Sequence, residues 1–393
     1  MVRLIEFGHI TYKIIYPILL SLVSVALSLL STVSNKLNKK ENPYGNHQFV
    51  YTWIMFLAEA LAIICYIIKQ ISFPTKIISK ILPKKKPNKI TFILCHITFY
   101  LLLSLLDLGN CILITMSENF ECKLLDNSLL IVRFLFFMLF GYLLLHYKYY
   151  RHHFLGASIF IFGMLLNCII SNQTKFDIPI YEVIIFAVVG HFIESFQNYL
   201  EKYLIVSKFY DPFMLIAGEG ISGLIIMSII LPIVNTIKCK NNKYNLCNQE
   251  GKPIDDFIEA MTYLFTHKEE GLTYLGLFIT IFFYNNLRIL TTEHFTPLHR
   301  NIAKDLRGFI LFFIKFIPYF GHASVGEAIG ETGTYIVMFI GDLIFLEIII
   351  LDFCGFNNNT KEEVIKRENE DYSVKGFLDR ESSHSERSEV TEY

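Results

Sequence analysis

The chain is a succession of long apolar runs separated by short polar breaks. A helix needs about 20 mostly apolar residues to cross a bilayer. Segments approaching or meeting that length lie at residues 14–34, 49–69, 91–113, 125–145, 153–170, 181–205, 212–237, 272–291, 300–320 and 334–354. They are expected to be helices, because an open sheet would leave its edge amides and carbonyls unpaired in hydrocarbon. The expected fold is an all-α polytopic membrane protein of about ten transmembrane helices. The first run is too long for a cleavable h-region, and no small-residue cleavage site follows it. It is expected to stay as span one.

Composition supports this reading. Hydrophobic residues make up 53% of the 393 positions and charged residues only 18%, against roughly 25% in soluble domains. The formal net charge of −1 offers no field for a polyanion, so lipid is the expected partner and nucleic acid is not. Basic residues crowd the loop between spans two and three (Lys69, Lys76, Lys80, Lys84, Lys85, Lys86, Lys89). Lys148 and Arg151 follow span four, Lys208 follows span six, and Arg3 and Lys13 precede span one. The positive-inside rule then puts both termini in the cytosol or an equivalent compartment, although Lys36, Lys39 and Lys40 dissent. The basic segment 72–89 is expected to touch anionic headgroups. The polar, acidic tail 357–393 cannot bury an apolar face and is expected to be largely disordered. Both segments are candidate contacts for protein partners, and a homodimer is open.

Ten spans divide into five and five, giving expected repeats at 1–175 and 176–356. "NSLLIVRFLFFMLFGY" and "RNIAKDLRGFILFFIKF" each set an Arg, Arg133 and Arg307, shortly before a Phe-rich run. That offset maps span four onto span nine and nearly maps Asp107 onto Asn285. Five is odd, so the second copy would enter the bilayer from the opposite side. Such inverted repeats belong to secondary transporters.

A charge at the bilayer centre costs between ~2.5 and more than ~10 kcal/mol, so each must face the bundle interior and find a partner. Arg133 is expected roughly 12–14 Å, and Asp107 roughly 9 Å, from the outer ends of their spans, at about 1.5 Å per residue. The two are expected either to pair across spans three and four or to find backbone or water partners separately. Arg300, Lys304 and Arg307 share one helical face, with Asp305 alongside. That face suits the oxygens of an anionic substrate or an interfacial snorkelling stripe. Glu194 and Glu201 are seven residues apart on span six, and Lys202 is adjacent. With Glu59 they are candidates for proton coupling or a structural ion pair, helix-end solvation being the alternative for Glu201 and Lys202. "AGEGISG" at 217–223 lacks a preceding strand, so its glycines point to close helix packing rather than a dinucleotide.

Other signals are weak. The cysteines form no C-x-x-C motif, and Cys239 with Cys247 is a candidate disulfide in an oxidising lumen. His146, His152 and His153 suit an interfacial aromatic–basic belt better than a zinc site. Asn172 opens a glycosylation sequon in a loop close to the membrane. No nucleophile triad or phosphate loop is present, so no enzyme, cofactor or metal is expected.

"LLDLGNCILITM", "NSLLIVRFLFFMLF" and "LGASIFIFGMLL" resemble spans three to five of the drug/metabolite transporter superfamily. The likeness is to its nucleotide-sugar-transporter-like branch, solute carrier family 35, and to the subfamily F, member-six-like proteins within it. "FQNYLEKYLI" with "DPFMLIAGEGISGLIIMSIILPI", and "FFYNN" with "HRNIAKDLRGFILF", are similar to its span six to seven and eight to nine passages. The resemblance covers roughly residues 95–320. It implies ten helices, two inverted halves, a central cavity and alternating-access transport of a polar metabolite. Asp107, Arg133, Glu201, Lys202, Glu219, Gly220, Asn285, Arg300 and Arg307 match the family's pattern. Arg133, Arg307, Asp107, Asn285, Arg300 and Glu219 are therefore the candidate substrate contacts. Phe134 departs from it, standing where relatives have Gly. Golgi or endolysosomal membranes are the expected location, with the mitochondrial inner membrane as alternative. A transport-inactive subunit of a larger membrane complex is the second functional expectation.

Overall fold

A helix lies under every one of the expected apolar segments in the computed structural model, which describes residues 2–4, 15–41, 47–72, 89–118, 123–170, 180–239, 251–314, 325–351, 356, 360 and 363. The order is β1 (Val2–Leu4), α1 (Ile15–Glu41), α2 (Gln48–Ala60), α3 (Ala62–Ser72), α4 (Lys89–Glu118), α5 (Lys123–Leu145) and α6 (Arg151–Ile170). Then come α7 (Ile180–Ser207), α8 (Pro212–Thr236), α9 (Phe257–Thr266), α10 (Lys268–His294), α11 (Pro297–Ile314), α12 (Val325–Phe345) and β2 (Ile349–Leu351). Among the described residues, five stretches have the length and hydropathy of a membrane crossing: Ile15–Ser34, Gln48–Ser72, Leu94–Ile114, Pro212–Thr236 and Lys268–His294. The fold is nearly all helical, with helices of the length and hydropathy of an integral membrane protein. Most of segment 72–89 and of the tail 357–393 lies outside the described residues.

Two local features depart from the hydropathy pattern. The second apolar run is broken at Leu61, between α2 and α3. The last run, expected at 334–354, is helical over Val325–Phe345 instead. Glu347 stops it by taking a left-handed φ of 56°. Its N–H donates to the Ile344 carbonyl at 3.1 Å and that of Ile348 to the Leu343 carbonyl at 2.9 Å, the Schellman arrangement that satisfies the last carbonyls of a helix. Ile349–Leu351 then leaves as a strand, paired antiparallel with Val2–Leu4.

The described residues pack as two units. The smaller draws on 1–8, 148–163 and 336–393, the larger on 9–147 and 164–335. In the smaller unit α6 and α12 meet backbone to backbone. A Cβ on Gly156 would stand 2.5 Å from the Phe345 nitrogen, and one on Gly341 2.6 Å from the Phe160 nitrogen. His152 and His153 serve packing here: His152 Nε2 accepts from the Leu351 N–H at 3.3 Å, and His153 sits edge-on to Phe345.

In the larger unit α1 lies along α10 and α11, α2 along α8, α4 along α7 and α8, and α5 along α7. Helix starts are secured by side-chain caps. Asp211 Oδ1 accepts from the Phe213 and Met214 N–H groups, with Pro212 as the first helical residue, and its Oδ2 takes Lys69 Nζ at 2.6 Å. The start of α2 is capped from far along the chain. Asp255, 1% exposed, accepts from the Phe49 N–H at 2.9 Å and the Val50 N–H at 3.3 Å. It also meets His47 Nδ1 at 2.7 Å. Asp255→Ala strands these donors, so its melting midpoint should fall by the equivalent of about 1–3 kcal/mol. An unchanged midpoint would show that this cap carries no stability. Cys239, just before it, is disulfide-bonded, and Cys247 lies outside the described residues.

Candidate functional site

The charges buried within the apolar helices converge on Arg288 of α10. Its Nη2 lies 3.2 Å from Glu201 Oε1 of α7, 3.8 Å from Glu219 Oε2 of α8 and 4.0 Å from Glu59 Oε1 of α2. Arg300 of α11 closes the other side. Its Nη1 donates to Glu201 Oε2 at 3.0 Å and to Thr292 Oγ1 at 3.2 Å, and its Nη2 donates to Asn198 Oδ1. Glu201 thus bridges two guanidiniums while being fully buried. Charge-assisted bonds of this kind are roughly twice as strong as neutral ones, and each lost partner leaves a costly buried charge.

Two amides complete the group. Asn285 Nδ2 donates to Glu59 Oε1 at 2.9 Å, and Gln197 Nε2 donates to Glu219 Oε1 at 2.7 Å. The second oxygens, Glu59 Oε2 and Glu219 Oε2, are buried without a hydrogen bond, as is Asp107 Oδ2 of α4. Asp107 faces the same centre, in the field of Arg288 and beside Gln197.

The backbone geometry explains why these acids meet. A Cβ on Gly220 would stand 2.3 Å from the Ala60 nitrogen and 2.7 Å from the Glu59 carbonyl carbon. The bare glycine lets α8 touch the α2 backbone at Glu59, beside the break at Leu61. Ser104 Oγ of α4 donates to the Glu219 carbonyl at 2.7 Å and fixes the third helix. Close packing is therefore what "AGEGISG" provides.

The expected residues sort as follows. Asp107, Asn285, Arg300, Glu219, Glu59 and Glu201 come together. Lys202, next to Glu201, turns away, and its Nζ donates to the Thr292 and Glu293 carbonyls at 2.7 and 3.0 Å. There it satisfies the end of α10 and complements its dipole. Glu194 is half-buried and meets His191 Nδ1 at 3.3 Å. Arg133 is buried on α5 and is not without a partner. Of the Asp107–Arg133 pair expected from matching depth, Asp107 lies in the field of Arg288, and the ion pairs of that arginine run to Glu59, Glu201 and Glu219. Arg307 is half-buried and makes none of the group's bonds. The side chain of Lys304 lies outside the described residues.

Sequence reasoning passed over Arg288 itself, together with Gln197, Asn198 and Thr292. The signal was present. "NNLRIL" carries an Arg three residues after Asn285 in an apolar span, and a mid-span guanidinium demands partners.

No family model matches the chain, and no curated protein matches it. A solved structure described only as "Crystal structure of protein" aligns with 83% of this chain and 98% of its own, at 12% identity and a TM-score of 0.43.

Proposed function

We propose that the protein is a secondary transporter of a small polar or anionic metabolite that works by alternating access. The observation that carries this reading is the buried group itself. Six helices, drawn from both expected halves of the chain, aim four carboxylates and two guanidiniums at one point. A group this costly among membrane helices marks a substrate or ion pathway by default.

The packing pattern supports the inverted-repeat reading. Counting α2 and α3 as span two, α7 and α8 as spans six and seven, and α10 and α11 as spans eight and nine, let each span exchange with the one five places on. The one–eight contact becomes six–three, one–nine becomes six–four, two–seven maps onto itself, and three–seven becomes eight–two. Each of these contacts is present. Spans two and seven, which exchange, carry Glu59 and Glu219. Such repeats carry their site at the interface between halves. Nucleotide sugars are the first substrate class to try, on the strength of the sequence resemblance. The disulfide at Cys239 favours an oxidising compartment on its side of the membrane, hence a secretory or endolysosomal membrane with the termini cytosolic.

Reconstituted protein should take up at least one member of a panel of nucleotide sugars, nucleotides and organic acids above the level of empty vesicles. Arg300→Gln should abolish that uptake. Uptake at background across the panel, equal in the wild type and the variant, would remove the proposal.

One observation favours a second reading. Both central guanidiniums already hold carboxylate partners, and Phe134 is fully buried, as in a chain kept for assembly rather than transport. Native purification with mass spectrometry would then recover a stoichiometric membrane complex.

A further inference from the structure

We infer that Glu59 and Glu219 form a paired proton site around Arg288, and that filling it with protons frees Arg288 to take an anionic oxygen. The inference rests on the transport reading only for the passage of that anion. The proton site stands on charge balance and geometry.

The balance is as follows. The groups facing the site are Glu59 of α2, Asp107 of α4, Glu201 of α7, Glu219 of α8, Arg288 of α10 and Arg300 of α11. On flanking elements, Arg133 of α5 has a partner of its own. Lys202 is spent on the end of α10; Glu194 meets His191, and it and Tyr284 of α10 reach Arg300 through the field. The described part of α1 that packs on α10 and α11 brings no charge between Ile15 and Ser34. Four carboxylates thus face two guanidiniums. An uncompensated buried charge costs several kcal/mol, so two carboxylates need a cation. Among the described residues, no group of three or more His, Cys, Asp or Glu side chains is arranged to hold a metal ion. The cation assigned to the site is the proton, with sodium as the competitor that the test below separates.

Geometry says which carboxylates take it. Glu201 touches both guanidiniums at 3.0 and 3.2 Å and is the ionised partner. Glu59 and Glu219 stand back, at 4.0 and 3.8 Å. Each accepts one amide N–H on one oxygen and keeps the other buried without a hydrogen bond. That spare oxygen is where a proton is held. The two acids sit on helices related by the exchange of halves, so each access state can load or empty a matching partner. With both acids neutral, Arg288 keeps Glu201, which it shares with Arg300. Its Nε, buried without a hydrogen bond, is the donor left for a substrate anion. Proton loading and anion binding then favour each other by linkage.

The test uses the full chain in liposomes on a solid-supported membrane with no organic substrate present. A jump from about pH 8 to about pH 5, across the carboxylate range, should give a transient charge-displacement current. A sodium jump at constant pH should give none. Glu59→Gln and Glu219→Gln singly should each lose roughly half of the displaced charge, since each removes one of two protonatable groups. The double variant should lose nearly all of it while still eluting as a single species. Absence of a pH-jump current in the wild type, a full current in the double variant, or a sodium-jump current would overturn the proton site. For the second half, sulfate is the anion probe. It should raise the melting midpoint at about pH 5 and not at about pH 8, and an equal shift at both, or none at either, would overturn the release of Arg288. A pH-jump current without metabolite uptake would leave the proton site standing and remove the transport reading.

Discussion

Arg288→Met should destabilise the protein by about 3–5 kcal/mol, the cost of breaking a buried ion pair from one side. The loss goes well beyond one bond. Glu201, Glu219 and Glu59 all lie within 4.0 Å of the same Nη2, and removing it leaves three carboxylates around an apolar stub. Methionine fills similar volume, so a cavity does not account for the effect. The measurement is the melting midpoint in detergent, read against Glu201→Gln and the double variant. Glu201→Gln retains an oxygen for Arg300 and removes one of the charges stranded by the arginine's loss. The double variant should therefore melt above Arg288→Met alone. If Arg288→Met melts with the wild type, Arg288 is not the centre of the group.

Gly220→Ala is expected to be the most damaging single-methyl change in the chain. The new Cβ would meet main-chain atoms of Ala60, Glu59 and Phe56 at 2.3–2.7 Å, and main chain cannot swing aside as a side chain can. Overpacking typically costs 1–3 kcal/mol and sometimes more. Here the only relief is to part α8 from α2, which pulls Glu219 and Glu59 away from Arg288 together. Yield of monodisperse protein and the melting midpoint should both drop. Gly333→Ala in α12 is the control: nothing lies within 4 Å of its Cβ. It should be neutral or stabilising by up to about 1 kcal/mol through helix propensity. Equal behaviour of the two variants would mean that the α2–α8 approach is not tight.

The helices were legible because hydropathy is a local property and lipid enforces it over about 20 residues at a time. The acids were legible for the complementary reason, since Glu59, Asp107, Glu201 and Glu219 each interrupt an apolar run. Their choice of partner was not. Asp107 and Arg133 match in depth on consecutive spans, yet the guanidinium whose field Asp107 shares with three other acids is Arg288, on α10 some 180 residues later in the chain. Depth is set by position along a helix, whereas partnership depends on which helices pack and how closely. That second quantity turned here on Gly220 and Ser104, whose contribution is the absence of bulk or a bond to a carbonyl. The end of α12 escaped for a similar reason. Ile348, Ile349 and Ile350 read as membrane span, but the left-handed turn at Glu347 had already released the chain.

Glu201 and Lys202 are neighbours on α7, and both grip α10, one through Arg288 and the other through the carbonyls of Thr292 and Glu293. Two anchors a turn apart resist both rotation and sliding, so these two helices behave as a single lever. Any rocking of the bundle must hinge elsewhere. The face left for it is the contact where Gly220 of α8 meets the bare backbone of Glu59 and Ala60, beside the break at Leu61.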